Sequence, residues 1–196
     1  MRLPRLLTLA VAAAVALAAG CEGRPPKAAE GRDVTRPALG FALDVPEGWT
    51  WRDLDGDVVL EVFRQESPAG PQARGAAEAG ADAAAAAKRT RPVIHVVVVD
   101  RAGATPATWA DDAVASSREI QADLEVAGRE PATLADGREG LALTLKSPRG
   151  LEPIVQRMVL AVTGTRAYAL MVTAPESDMA RIGPEVEACF KTFVVW

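Results

Sequence analysis

Pro92-Val93-Ile94-His95-Val96-Val97-Val98-Val99 is the stretch that decides how this chain folds. It is β-branched almost throughout, and both of its alternating faces are apolar. A strand with one face in water alternates apolar and polar residues; this one predicts a central strand covered on both sides. The fold must therefore supply packing layers above and below a sheet.

Reading outward supplies them. Thr105-Pro106 is an N-cap followed by a proline at the first helical position. Trp109, Ala113, Ser116 or Ser117, and Ile120 then recur at helical spacing, which predicts a helix over 106–122. Strands are expected over 124–130, over 138–146 with Leu141, Leu143 and Leu145 on one face, and over 153–162. Thr163-Gly164-Thr165 turns the last of these back into a strand over 166–173. A second helix is expected over 177–189, with Met179, Ile182, Val186 and Cys189 or Phe190 on one side. Gly183-Pro184 should break or kink it, because proline removes a helix hydrogen bond. A strand over 191–195 closes the chain.

Upstream, Phe41, Leu43 and Val45 alternate with Ala42 and Asp44, as in a strand. Pro46-Glu47-Gly48 turns the chain into an extended Trp49-Thr50-Trp51-Arg52. Asp55-Gly56 is the signal of a two-residue type I′ hairpin, with 58–64 as the returning strand. Tight turns between strands imply mostly antiparallel pairing. The expected class is α+β: an α/β/α sandwich, a mostly antiparallel sheet with helices packed on it.

The chain has 196 residues, 22 basic and 26 acidic, for a net charge of −4. That balance argues against nucleic acid as a partner, since phosphate backbones reward clustered Lys and Arg. Apolar residues make up 49% and charged ones 24%, a globular rather than disordered composition.

The N-terminus reads as an export signal. Arg2 and Arg5 precede a run over 6–19, LLTLAVAAAVALAA, too short for a membrane-spanning helix. Leu17-Ala18-Ala19-Gly20-Cys21 follows and resembles the bacterial lipobox, with the leucine one place further back than usual. The resemblance implies cleavage before Cys21 and a lipid on its thiol, a membrane anchor. Residues 1–20 are then a signal peptide. Residues 21–38, rich in Pro, Gly and charge, form a flexible tether, and 39–196 the domain, with 65–91 as a mobile loop. Glu22, rather than Asp, after the cysteine leans toward the outer membrane in a cell that has one. With Cys21 lipidated, Cys189 has no disulfide partner.

The segments Gly40-Phe41-Ala42-Leu43-Asp44-Val45-Pro46-Glu47-Gly48-Trp49 and Tyr168-Ala169-Leu170-Met171-Val172-Thr173-Ala174-Pro175 resemble stretches of PsbP-like and Mog1-like domains. In that family the first segment opens the sheet. The second is followed by an acidic turn, a helix and a Phe190-Lys191-Thr192-Phe193-like close. Gly137-Arg138-Glu139-Gly140 is similar to the glycine-rich turn before the family's long hairpin. The resemblance implies an α/β/α sandwich and a domain that binds or assists rather than catalyses.

Catalytic signatures are weak. His95 is the sole histidine, no G-x-S-x-G elbow accompanies it, and neither a Walker nor a dinucleotide-binding glycine motif is present. One histidine and one unlipidated cysteine do not make a zinc site. Asp53, Asp55 and Asp57 open like a calcium loop, but Val58 and Arg64 stand where glycine and glutamate are needed. No catalytic residue, metal or cofactor is assigned. The candidate interaction surface is Trp49, Trp51, Arg64, Arg89 and Arg91, an aromatic pair beside a local basic excess. The expected function is that of a non-catalytic envelope lipoprotein, anchored through Cys21, that binds an envelope protein or aids assembly. A small-molecule or ion-binding role stands second, and an enzyme third.

Overall fold

The computed structural model describes residues 32–64, 91–148 and 152–196. Its elements run β1 (Asp33–Arg36), β2 (Phe41–Asp44), β3 (Trp49–Asp53), β4 (Val58–Arg64), β5 (Val93–Asp100), α1 (Pro106–Ile120), β6 (Glu125–Thr133), β7 (Glu139–Ser147), β8 (Ile154–Thr163), β9 (Arg166–Pro175), α2 (Glu176–Thr192) and β10 (Val194–Val195). The main sheet has seven strands in the order β3-β4-β5-β9-β8-β7-β6, and every neighbouring pair is antiparallel. A second sheet has the order β1-β2-β10.

Strand alternation sorts the core into two layers. On β9, Tyr168, Leu170, Val172 and Ala174 enter one cluster, while Ala167, Ala169 and Met171 enter the other. The larger layer holds Met179, Ile182, Val186 and Phe190 of α2 together with Val34, Phe41, Leu43 and Val195 of the small sheet. The smaller holds Trp109, Ala110 and Ala113 of α1. Each fully buried side chain of Leu, Ile or Phe size stabilises the fold by about 1.5–3 kcal/mol. The doubly apolar β5 is thus the central strand its sequence predicts, and the α+β class holds: mostly antiparallel sheets with two helices packed on them.

α1 starts as predicted. Thr105 Oγ1 accepts from the Thr108 backbone N–H, and Thr108 Oγ1 accepts from that of Thr105, a reciprocal cap ahead of Pro106. Ile120, expected on the buried stripe, is instead 43% exposed, because the core contact of this helix ends at Ser117.

Four local features depart from expectation. The expected tether over 21–38 contains β1, which pairs Val34 with Leu43 and buries Val34 completely. One apolar residue among polar neighbours carries no periodicity, so the sequence conceals this strand. The segment around Phe41 does not open the main sheet; it is the middle strand of the small one. The Asp55-Gly56 turn is not the two-residue I′ type, which needs two positive φ angles. Gly56 alone is positive, at 100°, and the Leu54 N–H donates to Val59 O to close a longer loop. Finally, α2 runs unbroken through Pro184. Pro184 and Ala180, whose carbonyl loses its partner, are both exposed, where such a group is open to solvent. α2 also takes in Lys191 and Thr192, leaving Val194–Val195 as the last strand.

Candidate interaction surface

Trp49 and Arg64 come together, but not as an exposed patch, while Trp51 sits in a separate contact. Trp49 faces Arg64 across the β3–β4 pairing, and both meet Glu185 of α2. The Trp49 indole N–H donates to Glu185 Oε2 at 2.8 Å, and Arg64 donates to the same oxygen at 2.6 Å. The guanidinium also lies over the Trp49 ring, 5.6 Å from its centre. Burial pushes the Glu185 carboxyl pKa up, but the bonds from Trp49 and Arg64 outweigh it and leave the group below its ordinary value. The cluster is a brace between the sheet edge and α2, with Trp49 only 8% exposed.

Trp51 is half-buried, with the Arg36 guanidinium 4.7 Å from its ring centre. Asp53 holds that arginine at 2.7 and 2.9 Å, which ties β1 to the edge strand β3. Arg91 is exposed just ahead of β5. Cys21, Arg89 and residues 65–90 of the expected loop lie outside the described residues.

His95 shares a face with Val97 and Val99, as its alternation predicts. Its imidazole lies beside Glu61, its cross-strand partner on β4, at 3.6 Å. Arg52 on β3 holds the same carboxylate from the other side. The His95 imidazole, more than Arg52, lowers the Glu61 pKa against the opposing effect of burial. This is a cross-strand polar row rather than a nucleophile and base. Among the described residues, no three His, Cys, Asp or Glu side chains converge as metal ligands. The Cys189 thiol is pushed up to about 12 by burial, with help from Asp44, and so is a core hydrophobe rather than a reactive group.

The surface holds one feature that sequence reasoning missed. Asp111, Val114, Ala115 and Arg118 line one flank of α1, and Val126 and Arg129 of β6 complete a groove of about 320 Å³. Positions 111, 114, 115 and 118 follow helical spacing, so the stripe was legible. What the letters could not show is that β6 lies beside it. Arg129 spans the groove to Asp111 at 2.6 Å and to the Ala107 carbonyl at 3.1 Å.

A seven-stranded antiparallel sheet, with α1 on one face and α2 plus a small sheet on the other, is the PsbP/Mog1-like fold. Solved structures share it: the cyanobacterial PsbP (CyanoP) of Synechocystis sp. PCC 6803 is similar at 11% identity and TM-score 0.57, over 90% of this chain and 98% of that one. The yeast Ran-binding protein Mog1p (Saccharomyces cerevisiae) is similar at 12% identity and TM-score 0.56, over 85% and 95%. LpqN, involved in cell envelope biogenesis of Mycobacterium tuberculosis, is similar at 14% identity and TM-score 0.55, over 83% and 88%. At such identities the likeness is one of fold. No protein-family model and no curated protein sequence matches the chain.

Proposed function

We propose that this chain is a non-catalytic accessory lipoprotein of a bacterial envelope, held at the membrane through Cys21, whose PsbP/Mog1-like domain binds a protein partner. The observation that carries the reading is the leader ending in Leu17-Ala18-Ala19-Gly20-Cys21 ahead of this fold. Two structures that share the fold belong to proteins described by binding or envelope roles, Mog1p for Ran and LpqN for envelope biogenesis. Anchoring raises the local concentration of the domain against a partner in the same membrane, so that modest surface complementarity suffices. Two acyl chains hold such an anchor stably where one does not.

Crosslinking of the tagged protein in its own cells, with Cys21→Ala as the released control, tests the reading. A reproducible partner that depends on Cys21 is the expected result. Background proteins alone, from properly anchored wild-type protein, would overturn it.

A further inference from the structure

We draw no further inference here: the strongest candidate, the face of β3, β4 and β5 on which half-buried Phe63 and Val93 adjoin the Arg52–Glu61–His95 row, carries nothing because nothing among the described residues shows what covers it.

Discussion

Gly40 combines a left-handed backbone with a crowded Cβ position. Its φ is +75°, and a Cβ there would sit 2.7 Å from the Trp196 carbonyl oxygen and 2.9 Å from the Tyr168 hydroxyl. The Trp196 N–H also donates to the Gly40 carbonyl, and the Tyr168 hydroxyl to that of Leu39. Gly56 has a φ of +100° but open space around it. Gly56→Ala should therefore cost backbone strain alone, about 1 kcal/mol, and Gly40→Ala the same plus a clash, about 2–4 kcal/mol. Urea denaturation of the two variants compares them. Equal losses would mean that the crowding at Gly40 relaxes freely.

Glu61 gives the pH dependence its sign. Its folded pKa lies below the ordinary 4.5, so in acid the unfolded chain binds the proton more readily than the folded one. Its contribution to stability is complete above pH 4.5 and is lost as pH falls through the folded pKa. Glu185 adds to the same slope, its pKa lowered by Trp49 and Arg64 against burial. Glu61→Gln should lower stability at neutral pH and flatten the fall between roughly pH 5 and 3. A pH series of chemical denaturation reads both effects; an unchanged slope would show that the His95–Glu61–Arg52 row does not couple to folding.

At the scale of elements, α2 shows packing overriding a local signal. Met179 and Ile182 before Pro184, and Val186, Cys189 and Phe190 after it, all enter the same core layer. The helix is held on both sides of the proline, and the lost hydrogen bond faces water. Pro184→Ala restores that bond to the Ala180 carbonyl and should stabilise the protein by about 1–2 kcal/mol, less than the full helical cost of proline because the unfolded chain also gains freedom. A raised melting temperature is the expected readout. β1 shows the opposite case: Asp33–Arg36 is nearly all polar, and it is a strand because β2 offers an edge and the core takes Val34.

For the whole molecule, burial of Cys189 makes unfolding measurable. The side chain is 2% exposed and its thiol is pushed up to about 12, so it should resist alkylation in the native state. In a Cys21→Ala chain, modification of Cys189 should track global unfolding across a denaturant series. Labelling well below the transition would mean that α2 detaches while the sheet stays folded. Across the same core, the Glu185 brace joins β3 and β4 to α2, and Arg157 of β8 reaches Glu187 of the same helix.

Local signals in the chain suffice for the class of fold. The doubly apolar 92–99 requires cover on both faces, Thr105-Pro106 starts a helix, and alternation and turn residues place most of the remaining strands. These signals are local, set by the 2.0 and 3.6 residue periods and by capping chemistry. Long-range pairing sets which strands share a sheet, puts Phe41–Asp44 in the small one and joins Asp33–Arg36 to it. It also turned Trp49 toward Glu185 and set α1 beside the edge of β6. Those outcomes depend on pairings between residues far apart in the chain, and no local period records which distant partner a strand will meet.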